Sequence, residues 1–287
     1  MKKNLTRTFL VLLIALISTI TFAQEETEKK VEKPVRDPFM ASTLIENQTI
    51  VGASAKKLEL IIHHRMGSVG NGLTDLYGVY GASNIRMGLQ YGITDKLTLG
   101  IGTEKNNKYN DLNAKYTVFQ QTRSGSMPIA LSVHANVSID ARDEEIFGTN
   151  YEFTDRISYF AQVIVARKFT DAFSLQLAPS YSHFNSVDST FQNDKIGVMI
   201  GGKYTIYNSI SAIFEYNQPI SINPARDYHK DIESGIAVGF EIATSTHAFQ
   251  IFATNYQGIM AQNNNVMNTR KFDSDGILIG FNVNVKF

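Results

Sequence analysis

Residues 277–287 read Ile-Leu-Ile-Gly-Phe-Asn-Val-Asn-Val-Lys-Phe, with every odd position apolar and the even positions from Gly280 onward small or polar. Side chains alternate between the two faces of a strand, so this is a strand with one greasy face and one wet face. The same period of two recurs upstream. Ile129, Leu131, Val133, Ala135, Val137 and Ile139 alternate with Ala130, Ser132, His134, Asn136 and Ser138. Ile85, Met87, Leu89, Tyr91 and Ile93 alternate with Asn84, Arg86, Gly88 and Gln90. Taken through the chain, the pattern predicts strands over 58–66, 83–93, 97–103, 111–121, 128–139, 156–168, 173–184, 195–206, 209–218, 234–243, 247–255 and 277–287.

The connections carry a second signal. Turns of a few residues fall at 94–96, 123–125, 170–172, 208 and 244–246, whereas 67–82, 104–110, 140–155, 185–194, 219–233 and 256–276 are mostly much longer. Short turns alternating with long loops, and an even strand number of about twelve, predict an all-β fold: a closed antiparallel transmembrane β-barrel with both termini periplasmic. Lipid offers no hydrogen-bond partner, so the last strand must pair with the first. Tyr91, Tyr159, Phe169, Phe173, Tyr181, Tyr204, Tyr207 and Phe249, near strand ends, are the expected interfacial girdles. The mean hydropathy of −0.13 would pass for a soluble protein, but alternation dilutes the apolar face of any such barrel.

The start of the chain differs. Lys2, Lys3 and Arg7 precede an apolar run from Phe9 to Ile20, followed by Thr21-Phe22-Ala23 and polar Gln24-Glu25-Glu26. The run is too short for a spanning helix of about 20 residues and reads as a signal peptide over 1–23. Residues 24–50 are then a periplasmic leader, flexible or tucked into the lumen, with a short helix or extended piece at 43–50, and the barrel occupies 51–287. The chain contains no cysteine, which excludes disulfides and thiolate metal sites. Twenty-seven basic residues balance 27 acidic ones, so nothing points to a nucleic acid partner.

His63-His64-Arg65-Met66-Gly67, Leu76-Tyr77-Gly78 and the stretch from Ala82-Ser83-Asn84-Ile85-Arg86-Met87-Gly88 to Asp95 resemble an uncharacterised family of Gram-negative, Bacteroidota-like outer-membrane β-barrel proteins of unknown function. The match covers the opening third of the mature chain and departs at Met66, where the pattern has phenylalanine. Phe281, Val283, Val285 and Phe287 resemble the C-terminal signal read by the barrel-assembly machinery. The resemblance implies an outer-membrane location and a barrel, and no reaction.

Alternation assigns Glu59, His63, Arg65, Arg86, Lys115, His134, Lys203, Glu215 and Glu241 to the lumen, with Lys203 and Glu215 close enough to pair across adjacent strands. Such a lining is either a constriction for small polar solutes or a salt-bridge network that fills the barrel. The first makes the protein an outer-membrane channel or transporter; the second makes it a non-conducting structural or assembly component with a filled lumen. A barrel hydrolase is a third reading. Ser132, His134 and Asn136 share a face, but steps of roughly 6.5–7 Å are too long for a serine and histidine to share a proton. Asp227-Tyr228-His229-Lys230-Asp231 could ligate a metal, but charge clusters in loops are usually solvated, and neither a metal site nor a cofactor is assigned. Gly100, Gly102, Gly201 and Gly202 sit inside strands, where glycine permits curvature or close approach. The segment 256–276 is expected to be a flexible external loop. The partners implied are outer-membrane lipid, the assembly machinery and a small polar solute.

Overall fold

The alternating segments form twelve strands: β1 (Leu58–Ser68), β2 (Asn84–Gly92), β3 (Leu97–Glu104), β4 (Tyr109–Phe119), β5 (Ala130–Asp140), β6 (Ile157–Lys168), β7 (Phe173–Phe184), β8 (Asp194–Tyr207), β9 (Ile210–Ser221), β10 (Gly235–Ala243), β11 (His247–Thr254) and β12 (Leu278–Lys286). The structure, a computed structural model, describes residues 32–222 and 231–287. The expected signal segment and the Asp227–Lys230 part of the loop cluster lie outside the described residues.

Each strand pairs antiparallel with its sequence neighbours, and β1 pairs with β12 to close the barrel. At the seam Leu60 faces Val285, Ile62 faces Val283 and His64 faces Phe281, and the Phe287 N–H donates to the Leu58 carbonyl at 2.9 Å. Closure leaves no sheet edge, which is the requirement lipid imposes. The outer face is apolar, with Leu99, Ile101, Leu112, Val238 and Ile251 all exposed. The predicted girdle aromatics point outward, and His64 stacks on Phe281 at 4.7 Å while His63 points in.

Two segments enter the lumen: the leader, in one of its two expected places but with a different local conformation, and part of the connection before the last strand, expected outside. Residues 43–50 form neither helix nor strand. They make a tight reversal in which Leu44 N–H donates to Asn47 O, Thr49 N–H donates to Ser42 O, and Thr43 bridges Gln48. The segment 256–276 is an external loop only in part: residues 269–275 stay largely exposed, whereas 256–268 folds inward with Tyr256, Ile259, Met260 and Val266 buried, and carries a short helix, α1 (Ala261–Met267). Their polar backbones are tolerated at this depth because they are enclosed by protein rather than lipid. The first barrel strand begins at Leu58.

Replacing Phe281 and Val283 with aspartate places charges on the lipid face of the closing strand, at about 2–4 kcal/mol each if near the bilayer midplane for basic residues and less for acidic ones. Phe281→Asp with Val283→Asp, or deletion of Phe287, is expected to abolish membrane insertion, read as loss of the heat-modifiable band in membrane fractions. Normal assembly of these variants would contradict the seam described here.

Candidate functional site: the occupied lumen

The lumen holds a stopper. The chain enters at the short-turn end, where Val35 N–H donates to Gln121 O at 2.8 Å and Arg123 Nε donates to Pro34 O at 3.0 Å. It rises to the reversal at 42–49 and returns through Gly52 and Ala53 to the same end, where Ala55 lies parallel to Gly92 before β1 starts. Residues from Phe39 to Thr49 are nearly all buried.

Charged side chains of the wall hold this segment by its backbone. Glu215 on β9 accepts the N–H groups of Ile45, Glu46 and Asn47 at 3.2, 3.1 and 3.2 Å, and the Asn47 side-chain amide as well. Successive N–H groups converging on one carboxylate form an anion nest. Lys115 on β4 does the converse. Its ammonium donates to the carbonyls of Ser42 and Thr49 at 3.2 Å each, to Gln48 Oε1 at 2.9 Å, and to Val51 O. Arg65 on β1 pairs with Glu46 at 2.9 Å, with both side chains almost fully buried, and its guanidinium lies over the Phe252 ring. Neutral amides complete the grip: Asn282 donates to Ile45 O at 2.8 Å, Gln250 to Thr43 O at 3.2 Å and Gln176 to Gln48 O at 3.0 Å.

The contact also has an apolar half. Leu44, Ile45 and Ile50 pack with Ile164, Met199, Ile213 and Phe252, which point inward from β6, β8, β9 and β11. Fully burying each aliphatic side chain contributes about 1.5–3 kcal/mol. A Cβ at Gly201 would sit 2.5 Å from Leu44 Cδ2, so the glycine leaves the space that Leu44 fills. Gly197, four residues earlier, does the same for Asn265 of α1.

The opposite end is filled by α1. Asn265 donates to Ser180 and Ser182 at 3.2 and 2.9 Å and accepts from Asn217 at 2.6 Å, while Gln262 donates to Asn136 at 2.8 Å. A cavity of about 40 Å³ separates stopper and helix, lined by Glu46, His63, Arg86, His134 and Gln262 among others. A vestibule of about 660 Å³ opens at the turn end, bounded by the limbs of the inserted segment and by Glu59, Lys57 and Lys286.

All nine lumen candidates point inward, but they do different work. Glu59 accepts from Ser42 and Asn284, and His63 lies 3.4 Å from the Thr43 hydroxyl. Arg86 makes a bidentate pair with Asp111 in the wall itself, at 2.7–3.0 Å. His134 meets the edge of Phe160, and among the described residues neither of its ring nitrogens has a hydrogen-bond partner. Glu241 accepts from Gln250 at 3.0 Å. The expected Lys203–Glu215 pair does not form. Gly201 is the residue opposite Glu215 and Lys203 stands opposite Ile213, two residues along, a step of roughly 6.5–7 Å. Lys203 instead reaches Asp37 O at 3.4 Å. Ser132 bonds to Thr117 and not to His134. Among the described residues no cluster of histidines and carboxylates is arranged to hold a metal.

Sequence reasoning missed Gln176, Gln250 and the apolar patch. A signal was present: Ile164, Met199, Ile213 and Phe252 occupy lumen positions in the strand register, where a water-filled lumen would favour polar side chains.

The membrane bound beta barrel domain DUF5777 matches residues 39–287. The chain belongs to this family. The matched stretch starts at Phe39, so it takes in the stopper together with the barrel, and with the lipid-facing surface it makes the protein an outer-membrane β-barrel. Among solved structures, the KdgM porin is similar at a TM-score of 0.50 and 9% identity, covering 80% of this chain and 99% of that one. The NanC porin is similar at 0.49 and 10%, covering 80% and 98%. LpxR from Salmonella typhimurium is similar at 0.38 and 13%, covering 81% and 99%. These likenesses concern the fold. No curated protein matches the chain in sequence.

Removing Glu215 leaves three buried N–H groups without their acceptor, and hydrogen bonds to charged groups contribute about 1.5–3 kcal/mol each. Glu215→Ala is therefore expected to speed amide exchange at Ile45, Glu46 and Asn47 by at least about tenfold, the equivalent of about 1.4 kcal/mol, while exchange in β5 and β6 stays unchanged. Exchange mass spectrometry in detergent micelles reads this directly.

Proposed function

We propose that the protein is an outer-membrane channel for small polar solutes, closed in its resting state by residues 39–51. The observation that carries this is the way the stopper is held. It has no ladder pairing with the barrel at its apex, and is gripped there by side chains radiating from the strands. Releasing it breaks no strand pair and uncovers a wall bearing Arg65, Lys115, Glu215 and several amides. The vestibule beneath it is an approach already open at one end. The turn end is periplasmic in this reading, so the stopper is operated from inside the cell envelope. Residues 1–23 direct export, and the alternating apolar side chains ending in Phe287 are what the assembly machinery recognises.

A filled, non-conducting barrel is the second reading. The packing of Leu44 and Ile45 against Ile164, Met199, Ile213 and Phe252 favours it, since that contact suits a permanent occupant.

Single-channel recording separates the two. Leu44→Asp with Ile45→Asp puts two unpaired charges into the apolar half of the contact and leaves the wall untouched. The channel reading expects current steps from this variant, and liposome swelling in small sugars or amino acids, where the unaltered protein shows little of either. Silence from both proteins, with the variant correctly inserted, would overturn the channel reading in favour of the filled barrel.

A further inference from the structure

The stopper is a peptide, and the wall recognises it as one. Glu215 collects three consecutive backbone N–H groups. Lys115, Gln176, Gln250 and Asn282 each donate to backbone carbonyls. An apolar recess cut by Gly201 takes the Leu44 side chain beside this amide-reading surface. We propose that the vacated lumen is a binding site for short peptides with an aliphatic and an acidic side chain, which take the place of residues 43–48. This rests on the gated-channel reading and names its solute class.

The charges match such a ligand. Glu215 and Arg65 are both buried, and in the closed state they are satisfied by the amide nest and by Glu46. With the stopper out, consecutive backbone N–H groups of the ligand take over the nest at Glu215, and its acidic side chain takes the place of Glu46 at Arg65. A neutral saccharide brings no carboxylate to Arg65, has no run of amide N–H groups for Glu215 and leaves the aliphatic recess empty. The wall groups and the ligand groups are those already seen engaged at 2.8–3.2 Å by the stopper.

The probe is the unlabelled hexapeptide Thr-Leu-Ile-Glu-Asn-Gln with free termini, titrated calorimetrically into the full-length Leu44→Asp/Ile45→Asp protein in detergent. A second peptide is N-methylated at the three amides that correspond to Ile45, Glu46 and Asn47, and a neutral trisaccharide serves as a non-amide control. The expected result is saturable binding of the first peptide, at least tenfold weaker binding of the methylated peptide, and no measurable binding of the trisaccharide. Adding Glu215→Ala to the opened protein should weaken the first peptide at least tenfold, and the peptide should block current through the opened channel. Equal binding of the two peptides, or binding of neither, overturns the peptide site. Current without peptide block overturns it while the channel reading stands; peptide binding without current overturns the channel and leaves a peptide-binding barrel. If the double variant does not insert, Leu44→Ala is the milder opening on which the same titration is read.

Discussion

A strand that crosses lipid has nowhere to place its backbone N–H and C=O groups except on another strand. The pairing of β1 with β12 answers that constraint, and the rest of the structure follows from it. Once the sheet closes, side chains at alternate positions have no choice but the lumen. An inward-facing charge there must find water, an opposite charge or a polar backbone. The barrel supplies the third: Lys115 is met by stopper carbonyls and Glu215 by stopper N–H groups, and among the described residues neither has an ion pair.

The stopper thus has two kinds of attachment. Its polar contacts are directional and exchangeable for water or a solute with similar groups. Its apolar contacts, through Leu44, Ile45 and Ile50, are not directional and resist exposure. The balance between them sets how readily the lumen opens. It also explains why glycines at 197 and 201 matter on the inner face of β8: each leaves a recess for a side chain arriving from a different end of the barrel. The two intruding segments meet across a small polar cavity rather than a continuous core.

Period-two alternation and the rhythm of long and short connections were enough to read the strand number, the closure and the inward face. Those are local properties, repeated a dozen times, and small errors at strand ends do not alter them. The Lys203–Glu215 pair failed for a reason local patterns cannot hold. Both residues face inward on neighbouring strands, but the register places Gly201, not Lys203, across from Glu215. The inward fold of residues 256–268 is not legible in the sequence because polar asparagines suggest a solvated loop. In a barrel the lumen is itself a polar environment, and Asn263, Asn264 and Asn265 are buried there.

By itself, the sequence determined that this chain is an outer-membrane barrel and which face of each strand turns inward, because the pleat forces alternate residues onto opposite faces. Only the tertiary structure decided that the interior is occupied, and by what. Residues 39–51 carry no periodic signature, and their conformation is dictated by Glu215, Lys115 and Arg65, which lie up to about 170 residues away in the chain. Contacts of that kind come into being only when the sheet has closed around them.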